Sequence, residues 1–193
     1  RSWFEDAEPV HTVYLDAYWI DQTEVTNAQY TKCVADGDCE SPEFDWSFTN
    51  LDYFGNAEFD DYPVIFVNWH DAQDYCKWAG RQLPTEAEWE KAARGTNGFV
   101  YPWGNIFDGS KVNFCDLNCA EIDEAVVVNP NFDDGFADVA PVGSYPDGIS
   151  PYGAFDLAGN VGEWVFDWYD DGYYQDTPLE NPPGPDYGEF RVF

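Results

Sequence analysis

The chain reads as an α+β domain in which two or three helices sit among short, irregular strands and long loops. Three observations predict this. Polar capping residues precede three runs with helical spacing, the stretch 11–20 alternates apolar and polar residues, and from Tyr101 onward helical periodicity disappears into Gly-, Asp- and aromatic-rich sequence. A chain of 193 residues and 22.0 kDa is long enough for one sizeable core, and neither a repeat nor a low-complexity linker divides it.

Taken in order, His11-Thr12-Val13-Tyr14-Leu15-Asp16-Ala17-Tyr18-Trp19-Ile20 has the period-two pattern of a strand with one buried face. Thr26-Asn27-Ala28-Gln29 fits a capping box, with Val25, Tyr30 and Cys33 as the apolar stripe of the first helix. Residues 34–62 lack a period and carry Trp46, Phe48 and Phe54, which predicts a long loop ordered by its aromatics. Tyr62 to Val67 reads as a short buried strand. Asn68 caps a helix from Trp69 to Ala79 that Gly80 stops, and Thr85-Glu86-Ala87-Glu88 opens another that ends at Gly95. Glu86 and Glu88 suit the N-terminal end of that helix dipole, and Lys91 and Arg94 its C-terminal end. Beyond it, Asp133-Asp134-Gly135-Phe136 is a tight turn and 140–146 an edge strand.

Charge narrows the function classes. With 38 acidic and 8 basic side chains the net charge is −30, which excludes a binder of nucleic-acid backbones and favours cations as partners. An aromatic content of 19 % places that charge on a folded body rather than a disordered tail. No apolar run is long enough to span a bilayer. The chain starts at Arg1 and contains no Met, so it is expected to be a processed or partial product.

Five cysteines are arranged as two close pairs and a single residue. Cys33/Cys39 and Cys115/Cys119 each enclose turn residues and are expected to form disulfides, with zinc as the competing use. Two local disulfides point to an oxidising compartment: extracellular, periplasmic or at the cell surface. Cys76 lies in a helical pattern and is expected to be a buried thiol.

The densest chemistry lies in Tyr152-Gly153-Ala154-Phe155-Asp156-Leu157-Ala158-Gly159-Asn160-Val161-Gly162-Glu163-Trp164. Its glycines break any helix while Asp156, Asn160 and Glu163 supply oxygens, the donor type of a hard cation; an aromatic-anchored, solvated turn is the equally simple alternative.

Several blocks together resemble the formylglycine-generating enzyme (sulfatase-modifying factor) family. They are Pro63 to Trp69, Ala72 through Trp78-Ala79-Gly80-Arg81-Gln82-Leu83-Pro84-Thr85-Glu86-Ala87-Glu88-Trp89-Glu90, Ala92-Ala93-Arg94-Gly95, Tyr101-Pro102-Trp103-Gly104-Asn105, and Gly159-Asn160-Val161-Gly162-Glu163-Trp164. The resemblance covers nearly the whole chain and implies a variant of the C-type-lectin fold. It also implies one or two calcium ions. One site would use Asn113, the Phe114 carbonyl, Asp134 and the Phe136 carbonyl; the other would use Asp156, the Gly159 and Val161 carbonyls and Glu163, with Glu24 nearby.

The same resemblance bears on activity. Catalytic members oxidise a cysteine of a client sulfatase with a copper-holding thiol pair beyond an R-G-G-S-type strand, and the sequence here ends at Phe190-Arg191-Val192-Phe193, where that strand would begin. Residues 1–193 are therefore expected to form one domain of this type, incomplete at its C-terminus. Copper is not expected on this chain, and Gly162 stands where catalytic members tend to carry Trp. The expected function is a secreted or surface-exposed, calcium-stabilised, non-catalytic binding or structural module, whose partners are a protein or glycan ligand or other subunits of an extracellular assembly. The competing expectation is a C-terminally truncated formylglycine-generating oxidase. A third, an iron-dependent sulfur-transferring relative, would need a histidine cluster, and only His11 and His70 occur.

Overall fold

A computed structural model of the chain describes residues 7–119 and 129–193. Three α-helices form the regular skeleton: α1 (Asn27–Asp36), α2 (Trp69–Trp78) and α3 (Glu86–Arg94). Each begins at a capping box. Thr26 pairs with Gln29, Asn68 with Asp71 and Thr85 with Glu88, so that in every case a side chain satisfies a free amide of the first turn and the third helical side chain reaches back to the cap. Gly37 ends α1 in the left-handed conformation, which glycine adopts without steric cost. α3 carries Glu86 and Glu88 at its start and Lys91 and Arg94 at its end, matching the helix dipole.

The expected strands are reduced to single bridges. Among the described residues Tyr14 bridges Glu180 in parallel, and Thr26 bridges Pro63 and Trp168 bridges Arg191 in antiparallel fashion. Neither 11–20 nor 62–67 nor 140–146 forms a ladder, because no described segment runs beside any of them for more than a contact or two. Residues 165–169 and 190–192 come nearest to one, through Val165 N–H to Val192 C=O and Tyr169 N–H to Phe190 C=O.

Two buried clusters hold the fold. Tyr30 of α1 stacks on Tyr75 of α2 at 5.7 Å and meets the edge of Phe54, beside the Cys33–Cys39 disulfide. Ala92 and Ala93 of α3 pack against Ala154 and Leu157, which anchors the Gly-rich loop from below. The long loop is ordered as expected: Phe44, Trp46 and Phe48 gather around Phe66, whose φ of 57° turns the chain under them. The second disulfide, Cys115–Cys119, is also present. Cys76 is a free thiol but only half-buried, packed against the first of these clusters at the wall of a cavity.

Candidate functional site

The Gly-rich loop is held open by two residues in the left-handed region, Asp156 at φ 61° and Asn160 at φ 66°. Gly159 lies between them and presses against the backbone of Asn113, where an added Cβ would collide with the Asn113 carbonyl and with Val112 at 2.5 Å. Asn160 then organises the region. Its Nδ2 donates to Glu24 Oε1 at 2.9 Å and to the Ala140 carbonyl at 3.2 Å, while its Oδ1 accepts from Ala140 N–H and from Asn113 Nδ2, both at 2.8 Å. A side chain with two donors and two acceptor sites is thereby fully used.

Around this hub the structure brings Glu24, Asp156 and Glu163 together electrostatically. Glu24 is 8 % exposed; burial, reinforced by repulsion from Asp156 and Glu163, pushes its carboxyl up to about 8 against the Asn160 hydrogen bond. Burial likewise raises Glu163 to about 7, opposed by the Trp89 indole and aided by Asp156. Each of the three has one oxygen held by an N–H: Glu24 by Asn160, Asp156 by Gly143 at 2.6 Å and Glu163 by Trp89 at 2.7 Å. The remaining oxygens have no donor among the described residues, and Glu24 Oε2 is buried and unpartnered.

Of the other expected set, Asp134 lies against the main chain of Phe114 and Phe136. Asp134 accepts the Phe114 and Phe136 amides, one on each oxygen, at 2.9 Å, and Tyr145 donates to the Asp134 carbonyl. Burial raises Asp134 despite these bonds. Asn113 is committed through Nδ2 to Asp138 C=O and Asn160. One residue here escaped the sequence reading: Asp116, completely buried, accepts Asp134 N–H at 2.5 Å and Asn118 N–H at 2.8 Å and so holds the carboxylate turn in place. Nothing in the local sequence distinguishes it from a loop aspartate between two cysteines.

The donors are of the type calcium accepts, carboxylate, amide and carbonyl oxygens together, and each of Glu24, Asp156 and Glu163 keeps a carboxyl oxygen with no donor among the described residues. No three His, Cys, Asp or Glu side chains among the described residues meet as a metal cluster. Histidine chemistry is not assembled there: His11 contacts Pro9 C=O and the Tyr174 ring, and His70 stacks edge-on with Trp69.

Above the loop, Gly162 is exposed, and an added Cβ would come within 3.0 Å of the Phe193 ring, which itself meets Trp164 edge-to-face. A cavity of about 670 Å³ opens beside it, walled by Tyr18, Ile20, Leu83, Trp89 and Trp164 and reaching Glu24 and Glu163.

Comparison with known proteins now decides the family. The sulfatase-modifying factor enzyme 1-like domain matches residues 2–193. The chain belongs to the sulfatase-modifying factor family. The formylglycine-generating enzyme of Streptomyces coelicolor is 35 % identical over 232 residues, covering 95 % of this chain and 68 % of that protein. The inactive C-alpha-formylglycine-generating enzyme 2 of Bos taurus is 44 % identical over 110 residues, covering 56 % of this chain and 34 % of that one. The serine/threonine-protein kinase pkn1 of Chlamydia caviae is 32 % identical over 208 residues; the match takes in 100 % of this chain but only 30 % of that protein. Among solved structures, PvdO from Pseudomonas aeruginosa superposes with a TM-score of 0.64 at 22 % identity, covering 96 % of this chain and 70 % of that one. The fold is thus the formylglycine-generating-enzyme variant of the C-type-lectin fold, as the sequence predicts.

Proposed function

We propose that this sulfatase-modifying factor domain is a calcium-stabilised, non-catalytic binding or structural module that works outside the cytoplasm: secreted, periplasmic or at a cell surface. The observation that carries this reading is the state of the cysteines. Cys33–Cys39 and Cys115–Cys119 are locked in local disulfides, and Cys76 is the one free thiol. Copper chemistry with a soft pair of neighbouring thiolates therefore has no second partner for Cys76 among the described residues. The free thiol is also poorly activated, since burial and Asp21 push it up to about 11.

Calcium is supported by the charge balance of the loop. Glu24, Asp156 and Glu163 repel one another in a partly buried setting, and a divalent ion held by Asp156, Glu163 and the Gly159 and Val161 carbonyls, with Glu24 beside them, would relieve that repulsion. Asn113, the Phe114 and Phe136 carbonyls and Asp134 would hold a second. The disulfides support an oxidising compartment, and no helix among the described residues is long and apolar enough to cross a membrane. The ligand on this reading is a protein or glycan, or another subunit of an extracellular assembly; irregular loops on a compact scaffold suit such recognition.

A second reading is favoured by the identity with the Streptomyces coelicolor formylglycine-generating enzyme: an oxidase of the same kind, with its thiol pair outside these residues. Copper-dependent oxygen uptake by the full-length gene product, in the presence of a Cys-x-Pro-x-Arg peptide, separates the two. None is expected; turnover of the peptide to an aldehyde would establish the oxidase.

A further inference from the structure

The two disulfides differ in how easily a reductant can reach them. Cys33 and Cys39 are buried beside Tyr30 and Tyr75, at 0 % and 8 % relative exposure, so that bond is reached only when the first cluster opens. Cys115 and Cys119 are only half-buried, and Leu117 between them is exposed. Thiol–disulfide exchange needs access to a sulfur, and exposed bonds are the labile ones.

The loop closed by the more exposed bond carries the Asp134 turn. The Cys115 carbonyl accepts Asn129 N–H, and Leu117 N–H donates to the Phe132 carbonyl. Asn118 Nδ2 donates to Asp133 Oδ1 at 2.8 Å, and Asp134 N–H donates to Asp116 Oδ2. The other Asp116 oxygen accepts Asn118 N–H within the same short ring. Asp116 is the costly member, since its carboxyl is fully buried and no Lys or Arg among the described residues pairs with it. Burial raises the neighbouring Asp134 carboxyl, and Asp116 and Asp133 add repulsion to it. A carboxyl so placed is drawn toward water, and the closed ring denies its backbone the freedom to leave. The ring is short, so the chain entropy its opening releases is small and the effect falls on the turn rather than on the whole fold.

We propose that the Cys115–Cys119 disulfide is a redox latch on the Asp134 turn, opened by a dithiol reductant while Cys33–Cys39 stays closed. One thiolate of the reductant attacks a sulfur of the bond, and the other cysteine leaves as a thiolate and takes up a proton. The second thiol of the reductant then displaces the mixed disulfide. Two electrons pass to the protein, two cysteine thiols form, and the reductant departs as its own disulfide. With the ring open, Asp116 turns out to water, Asp134 N–H loses its acceptor and the turn relaxes. Asn113, joined to Asn160, carries the change on to the Gly-rich loop. The latch needs no bound ion, so its test is run in chelator and its failure leaves the calcium reading untouched.

Native protein is treated with dithiothreitol, free thiols are trapped by alkylation and located by peptide mass, and amide exchange is followed by NMR in the oxidised, reduced and reoxidised forms. Cys115 and Cys119 should be reduced about tenfold faster than Cys33 and Cys39, or more. Exchange at the Leu117, Asn118 and Asp134 amides should then quicken by about tenfold or more while the α1 and α2 amides keep their rates, and reoxidation should restore the slow rates. Cys115→Ser combined with Cys119→Ser should show the reduced pattern without reductant. In Asp116→Asn the Asp134 amide should exchange fast in both redox states, so that reduction changes it no further, a result that a merely structural bond would not give. The double serine variant keeps the test decisive if Asp116→Asn does not fold. Equal reduction of the two bonds, loss of shift dispersion throughout the protein on reduction, or an Asp134 amide that keeps its oxidised rate would each overturn the latch.

Discussion

Asn113 and Asn160 are joined twice, side chain to side chain through Nδ2 and Oδ1 at 2.8 Å and main chain to main chain through Asn160 N–H and the Asn113 carbonyl at 2.9 Å. This double link fastens the Asp134 turn to the Gly-rich loop, so the two oxygen-rich regions form one polar network rather than two separate sites. Such networks are sensitive to the loss of a single member, because the partners left behind stay buried.

Asn160→Ala should therefore destabilise the domain by about 2–3 kcal/mol, since Glu24, Ala140 and Asn113 all lose a partner. Gly159→Ala should act in the same direction by forcing the loop off Asn113, by about 1–3 kcal/mol. Urea unfolding measures both, and a change in either variant below the error of the midpoint would show that the link adds nothing to stability.

The raised carboxyls make a signed pH prediction. Glu24 at about 8 and Glu163 at about 7 lie above the ordinary carboxylate range, so the folded protein holds protons that the unfolded chain has released. In chelator, Tm should fall as pH rises from 5 through 8.5, with the loss complete above the folded values. With calcium in excess the decline should flatten, because the deprotonated oxygens are then neutralised by the ion. A chelated protein whose Tm rises across this window would contradict the clustering of these three acids.

The thiol prediction is the simplest. Native protein should take up alkylating reagent only at Cys76, and slowly at pH 8 because burial and Asp21 raise that thiol to about 11. Denatured but unreduced protein should take up one equivalent, and reduced protein five. Intact mass reads all three, and three or five equivalents before reduction would refute the pairing.

Helices and cysteines were legible because their signals are local. Thr26 and Gln29, or Thr85 and Glu88, lie three residues apart and find one another whatever the rest of the chain does, and the same is true of the cysteines across their short turns. Strands were not legible in the same way, since alternation from His11 to Ile20 records a strand-like surface but cannot say whether a neighbour lies beside it. The oxygen set of the loop could be named from its composition and family resemblance. The role of Asn160 as organiser, and of Asp116 under the Asp134 turn, depends on contacts across 136 and 18 residues that no local pattern encodes.

Calcium dependence of the melting temperature tests the central claim most directly. Saturating calcium should raise Tm above that in chelator, and Asp134→Ala combined with Asp156→Ala should remove the difference while leaving a cooperative transition. A wild-type melting curve that is the same with calcium and with chelator would contradict the account.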